Sequence, residues 1–294
     1  MTPTCSADRY LQVLQSHSIE KFVLEPVTHI IMIEDNKYSI DEWSTFLHPI
    51  YKKHKLVLLH KESMPSIFPV TAIQPNLGLD EGKRGHQTQV IAMGGWHRQQ
   101  LMKLFVSKIV RTPYYLNIDS KNIFIKPTSI SEFDVDGSGN IHGWAAETFN
   151  DWRPWIDCVS TALNRAPPDT LWWPCTPFNL KTDTVHDMLA TLDWEQLFVN
   201  NCRDMLVSEY LAYSYFSTAT LLDKTRPTWA GGYQLGARAK AMHNYLTYVP
   251  ILSIGRFCLK NYIYRANIAN FLIDIGLPKN CVTTAIQNTD VFNR

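Results

Sequence analysis

Apolar positions along this chain follow two rhythms. In residues 7–22, ADRYLQVLQSHSIEKF, Tyr10, Leu11, Leu14 and Ile19 recur at helical spacing with Val13 and Phe22 beside them, which predicts a helix. Residues 29–34, HIIMIE, are a continuous apolar run ended by Glu34, Asp35 and Asn36, the signature of a buried parallel strand. Residues 55–59, KLVLL, predict another short strand. Residues 96–111 read as an amphipathic helix with Leu101, Leu104, Phe105 and Ile109 as its buried stripe. A Thr-Pro break then leads into a strand at 114–118 that ends on Asp119, and residues 123–125 continue as an extended edge. Residues 64–87 are rich in Pro and Gly and lack a period, so they predict a loop.

From Trp152 the pattern changes. Trp152, Trp155, Trp172 and Trp173 crowd together with Pro154, Pro167, Pro168, Pro174 and Pro177, which predicts a region built on loops. Residues 182–192 predict a helix with Thr182 or Asp183 as its N-cap, and 204–218 a second one. Residues 249–254 predict a late strand, and 256–275 a terminal helix stopped at Gly276 and Pro278. Alternating β and α elements followed by mixed loops and helices favour a three-layer α/β domain with a C-terminal elaboration. The expected organisation is a single domain over 1–294, with a nucleotide-binding half (1–130) and an acceptor-side half (131–294). A nucleotide-binding α/β domain normally opens on a strand. Here the chain opens on Thr2-Pro3-Thr4, so that strand is expected to be missing or cut to one or two residues.

Composition narrows the function classes. With 28 basic and 27 acidic residues the net charge is +1, which argues against nonspecific binding to nucleic acid. An apolar fraction of 45% over 294 residues supports a packed core rather than disorder. Nine Trp and thirteen Tyr supply core and also flat platforms on which sugars and bases stack. Cys5, Cys158, Cys175, Cys202, Cys258 and Cys281 form no C-x-x-C pair or zinc spacing and read as free thiols in a reducing compartment. No signal pattern and no transmembrane span are visible. A cytoplasmic protein is expected, and a peripheral membrane contact stays open.

Several polar groups stand where chemistry could use them. A carboxylate at the end of a buried strand is costly without a polar partner, and the carboxyl edge of an open α/β sheet is where ligands bind. Asp119 therefore marks either a diphosphate site, with or without a divalent cation (Mn²⁺ or Mg²⁺), or an acid that caps the next turn. Asp-x-Asp would complete a metal site; Lys121 replaces the second acid and offers a point charge to phosphate. Gln100 and Lys103 are three apart and share a helix face, either solvated or aimed at a donor. Glu209, between Ser208 and Tyr210 in an apolar stretch, is a surface residue or a buried base or hydroxyl anchor. Residues 134–145, DVDGSGNIHGWA, imitate a calcium loop but carry Ala145 at the twelfth position, which favours a hairpin turn. His142 beside Trp144 is placed to face a sugar. His243 and Arg256 lie near the late strand, where an arginine can clamp phosphate. No GxGxxG, P-loop or G-x-S-x-G is present, which weakens dinucleotide, ATP-type and hydrolase readings.

Thr2-Pro3-Thr4, Gly95-Trp96 with Gln99-Gln100-Leu101 and Lys103-Leu104, the strand YYLNIDSKNIFIKP, and Ser208-Glu209-Tyr210 together resemble a family of mostly bacterial proteins with a GT-A-like fold. That family is largely carried as a domain of unknown function and regarded as glycosyltransferases. The resemblance covers most of the chain. It implies that the Thr2–Thr4 loop and Glu34-Asp35 face the nucleotide, that Asp119 faces the diphosphate and any metal, and that Glu209 serves the acceptor side. The resulting expectation is a glycosyltransferase using a nucleotide-diphosphate sugar and a glycan or lipid-linked acceptor, set in surface polysaccharide biosynthesis. Gln100, Lys103, Lys121 and Arg256 are expected to join the donor site, and Trp173 and Tyr210 the acceptor site, with His142 and Trp144. A catalytically degenerate sugar- or nucleotide-binding module of the same fold is the alternative.

Overall fold

The computed structural model describes residues 1–35, 37–60, 94–133, 143–145, 153–168, 170–172, 176–192, 208–217, 229–230, 251–254 and 262–288. The first described elements are β1 (Thr2–Thr4), α1 (Arg9–Phe22), β2 (Thr28–Ile33), α2 (Ile40–Leu47) and β3 (Lys55–His60). There follow α3 (Gly94–Phe105), β4 (Tyr114–Asn117), β5 (Asn122–Phe124), β6 (Gly143–Ala145), α4 (Arg153–Leu163), β7 (Thr170–Trp172), β8 (Phe178–Lys181), α5 (Thr182–Thr191) and α6 (Glu209–Ser214). The last are β9 (Trp229–Ala230), β10 (Ile251–Ser253), α7 (Tyr262–Asp274) and α8 (Lys279–Asn288). The fold is α/β. Its contacts divide the chain into two compact units along lines that cut across sequence order. Unit 1 takes Met1–His60, Ile118–Val135 and Lys224–Arg294; unit 2 takes Lys61–Asn117 and Asp136–Asp223.

Unit 1 is built on a parallel sheet of order β1-β2-β3. The opening strand, expected to be missing or cut to one or two residues, is present with three, and Thr2-Pro3-Thr4 is that strand. Thr2 pairs with Ile31, Pro3 with Met32 and Thr4 with Ile33. A proline lacks the N–H a central strand needs, and it is tolerated here because β1 ends the order of this sheet. The apolar run of β2 buries Ile31, Met32 and Ile33 completely. α1 follows a 3₁₀ turn at Ser6–Asp8 and buries Leu11, Leu14, Ile19 and Phe22, but also Gln12, Gln15, Ser16 and Ser18. Its inner face is thus half polar, and those groups must be satisfied by partners. α2 has no counterpart among the sequence expectations. It opens on a reciprocal cap, in which the Ser39 hydroxyl accepts from the Glu42 N–H and the Glu42 carboxylate accepts from the Ser39 N–H, and it buries Trp43 and Leu47. β10 pairs antiparallel with β5 and parallel with β9. α7 ends as expected at Gly276, whose φ is 85°. Leu277 N–H then closes onto Leu272 C=O, a left-handed stop that only glycine makes cheaply. Pro278 does not end the helical region; α8 begins directly after it.

Unit 2 holds two antiparallel pairs, β4 with β8 and β6 with β7. The stretch from Trp152, expected to be loops, contains α4 and β7. The amphipathic set Ile156, Cys158 and Val159 is buried and fixes α4 in spite of the prolines around it. α5 begins where expected, but neither proposed cap serves it. Lys181 is the N-cap residue without a side-chain bond, and the Thr182 hydroxyl instead donates to Thr112 C=O at 2.6 Å. α6 ends at Ser214 and begins at Glu209. Glu209 therefore opens a helix rather than sitting within one. Among the described residues no helix is long and apolar enough to cross a membrane.

Candidate functional site

The carboxyl edge of the parallel sheet gathers acids from three segments of unit 1. Where β1 ends, Thr4 C=O accepts from Glu34 N–H at 2.9 Å. One residue on, Asp35 Oδ2 accepts from both the N–H and the hydroxyl of Ser6, at 2.8 and 2.5 Å. That double bond ties the turn after β1 to the end of β2. Asp8 closes the group from the other side, its Oδ2 accepting from the Ser120 hydroxyl at 2.9 Å. Burial, and next the Asp8 carboxylate, push the Cys5 thiol up to about 11, so it stays protonated and is no nucleophile. Beside this edge, Arg9 is held by rings: its guanidinium lies 4.5 Å from the Tyr10 centroid, 4.6 Å from Tyr38 and 5.0 Å from Phe46.

Asp119 sits on a turn that other side chains hold. Its N–H donates to Asn122 Oδ1 at 2.7 Å, and Asn122 N–H returns to Asp119 C=O at 2.8 Å. Gln15 Nε2 then donates to the carbonyls of Asp119 and Asn122, at 2.5 and 3.0 Å. Asn122 thus supplies the cap that the sequence left open to Asp119. The Asp119 carboxylate is directed to Lys121 Nζ at 3.2 Å, with the two side chains 25% and 46% exposed. Neither is sunk in packed interior.

The grip on this turn comes from a buried network. Gln15 Oε1 accepts from Thr2 Oγ1 at 3.0 Å and from Gln12 Nε2 at 2.9 Å. Thr2 Oγ1 lies 2.8 Å from His29 Nε2, His29 Nδ1 lies 2.5 Å from the Tyr51 hydroxyl, and Tyr51 donates to Ser16 Oγ at 2.9 Å. Burial holds the His29 imidazole well below its usual range and pushes the Tyr51 hydroxyl up. Thr2, expected at the nucleotide, is thereby placed in the core. Thr4 is fully buried at the strand end and its hydroxyl has no partner.

Unit 2 gathers a second set. Lys103 Nζ and Glu209 Oε1 form an ion pair of 3.0 Å with both side chains buried. Gln100 and Lys103 do share a face of α3, but both are buried rather than solvated. Gln100 Oε1 accepts from Glu209 N–H at 2.8 Å, meeting one of the N–H groups that a helix start leaves open. The Lys103 ammonium also lies 5.1 Å over the Tyr210 ring, and that ring stacks on Phe178 with centroids 4.1 Å apart at 13°. Tyr115 donates to Lys103 C=O at 2.9 Å. Burial, then the neighbouring Tyr213 and Glu209, hold its hydroxyl well above the usual range. Lys103 is therefore engaged by a carboxylate.

A family model with the description "Family of unknown function (DUF6492)" matches residues 7–244. The chain belongs to the DUF6492 family. No curated protein matches it in sequence. Among solved structures, this DUF6492 protein is similar to mouse xyloside xylosyltransferase 1 in its apo form, at 10% identity and a TM-score of 0.46, over 87% of this chain and 96% of that one. It is also similar to the apo bifunctional glycosyltransferase WbbM, at 11% identity and a TM-score of 0.49, over 97% of this chain and 50% of that one. The chain thus spans about half of the WbbM enzyme.

Other residues singled out in the DUF6492 sequence fall as follows. Trp144 lies in β6. His142, Trp173, His243, Arg256 and residues 134–142 of the calcium-like loop lie outside the described residues. Cys5, Cys158 and Cys281 are free thiols. For a divalent cation the described donors fit poorly: the Lys121 ammonium stands beside Asp119, and among the described residues no group of three or more His, Cys, Asp or Glu is arranged to hold an ion. Sequence reasoning missed Ser6 and Asp8, the Arg9 ring cage and the stacking role of Phe178. Only the Ser-x-Asp spacing before α1 was a local signal, and it resembled an ordinary helix start.

Proposed function

We propose that this DUF6492 protein is a GT-A-like glycosyltransferase that moves a sugar from a nucleotide-diphosphate donor to a glycan or glycolipid acceptor, in surface polysaccharide biosynthesis. The observation that carries the reading is the Asp119–Lys121 pair, partly exposed on a turn clamped by Asn122 and Gln15 and joined through Ser120 to the acids of the sheet edge. A leaving nucleoside diphosphate needs positive charge fixed in advance of the reaction. Lys121 supplies it, and Asp119 holds that ammonium in place. Asp35, bonded through one oxygen only, keeps a second acceptor for the hydroxyls of the nucleotide sugar. In unit 2, Glu209 is paired with Lys103 and suits an anchor for an acceptor hydroxyl.

The test is transfer by the purified chain across a nucleotide-sugar panel, with and without EDTA. The expected outcome is transfer that persists in EDTA and falls about 10²-fold or more in Asp119→Ala, with the melting temperature unchanged. Wild-type-like transfer by Asp119→Ala would remove the assignment. The second reading, a non-catalytic nucleotide-sugar-binding module, is favoured by Lys121 in place of an acid. Calorimetric binding of a nucleotide sugar without turnover on any acceptor would select it.

A further inference from the structure

Asn117 closes β4 opposite Phe178 of β8. It is fully buried, and neither its Oδ1 nor its Nδ2 meets a partner. Burying a carboxamide with both ends unpaired opposes folding. Leucine has the same branched outline, though a larger volume, and would carry no such penalty, so apolar burial alone does not account for the residue. Residues directly opposed across an antiparallel pair share a face of the sheet. The Asn117 carboxamide therefore lies on the face of Phe178, whose ring stacks at 4.1 Å on Tyr210. Tyr210 in turn carries the Lys103 ammonium at 5.1 Å, and Lys103 is paired with Glu209 at 3.0 Å. All these residues belong to unit 2.

We propose that Asn117 is a ligand-binding residue whose carboxamide takes the hydroxyls of a sugar unit. The internal ion pair has already neutralised the one cation of this set, which favours an uncharged ligand. A carboxamide presents an acceptor and two donors, and a sugar hydroxyl both donates and accepts, so one or two hydroxyls satisfy both ends. Phe178 and Tyr210 stack on each other and Lys103 lies over the Tyr210 ring, so the C–H surface of a pyranose would meet apolar ring edges there rather than open faces. Naming the sugar as that of the acceptor rests on the transferase reading above.

The experiment uses the full chain as wild type, Asn117→Leu and Asn117→Ala. Each is melted alone and with excess methyl glycosides of glucose, galactose, mannose and xylose, and each is assayed for transfer. The expected result is a glycoside-induced rise in the wild-type melting temperature that both variants lose, and an acceptor KM raised at least about tenfold with donor KM unchanged. Asn117→Leu alone should melt no lower than wild type, an outcome that a purely structural carboxamide would reverse. Asn117→Ala keeps the binding readout if Leu does not pack. The inference is overturned if no glycoside shifts the wild type, or if a folded variant keeps the shift and the acceptor KM, as it would with a lone water as guest. Loss of the shift without turnover of any nucleotide sugar keeps the inference and removes the transferase reading. Transfer with unchanged acceptor KM in both variants does the reverse.

Discussion

The two units deal with buried polar groups in opposite ways. Unit 1 links neutral groups, Thr2, Gln12, Gln15, Ser16, His29 and Tyr51, into a network under its sheet. Unit 2 buries full charges, Lys103 against Glu209, and surrounds them with Tyr115, Tyr210 and Phe178. A neutral network holds geometry at little electrostatic risk. A buried ion pair is expensive to desolvate, and replacing such a pair with apolar residues often leaves stability unchanged or improves it. Its presence therefore points to use more than to stability, whereas the unit 1 network points to placement.

The largest effect should come from breaking the pair. Lys103→Met alone leaves the Glu209 carboxylate buried without its cation and should cost about 3–5 kcal/mol, read from urea or guanidinium denaturation. Lys103→Met with Glu209→Leu should recover most of that loss while abolishing acceptor use. A double variant as unstable as the single one would mean that the pair is needed for folding, and the contrast with unit 1 would fail.

A smaller effect sharpens the other side. The folded-state pKa of His29 lies well below that of the free imidazole because of burial, and those of His17 and His54 are lowered by burial as well. The unfolded chain then binds more protons than the folded one once the pH falls below about 6.5. Stability should be complete above that value and decline below it, each such group contributing at most about 1.4 kcal/mol per pH unit. Denaturation midpoints across pH 7.5 to 5.5 check this. His29→Gln should shallow the slope, and an unchanged slope would show that His29 is already charged in the fold. Smallest is the α2 cap: Ser39→Ala should cost about 1 kcal/mol and leave transfer untouched.

What the sequence made legible was what has a period. The helix at Arg9–Phe22 and the strands at Thr28–Ile33, Lys55–His60 and Tyr114–Asn117 lie within a residue or two of their expected places, because each buries one continuous stripe or run. α2 went unseen although Ser39 and Glu42 spelled its cap, since only Trp43 and Leu47 are buried over its short length. α4 was hidden by the Trp and Pro residues around it. α8 was hidden because Pro278, suited to the end of one helix, is equally suited to precede the first turn of the next. At the site, Asp119 could be found because a strand leads to it. The Asp35–Ser6 latch, the Asp8–Ser120 bond, the Lys103–Glu209 pair and the unpaired amide of Asn117 could not, because each exists only once distant segments are packed together.

Gln15 has two ends that are not interchangeable. Its nitrogen grips the carbonyls on either side of the Asp119 turn, while its oxygen receives the hydroxyl of Thr2 and the amide of Gln12. Rotating the amide would set its oxygen against two carbonyls and its nitrogen against the Gln12 amide, so the interior dictates where the rim of the sheet stands. Platform and cargo are consequently separable: the clamp holds backbone carbonyls, so a substitution at position 121 changes the charge presented without moving the turn that presents it.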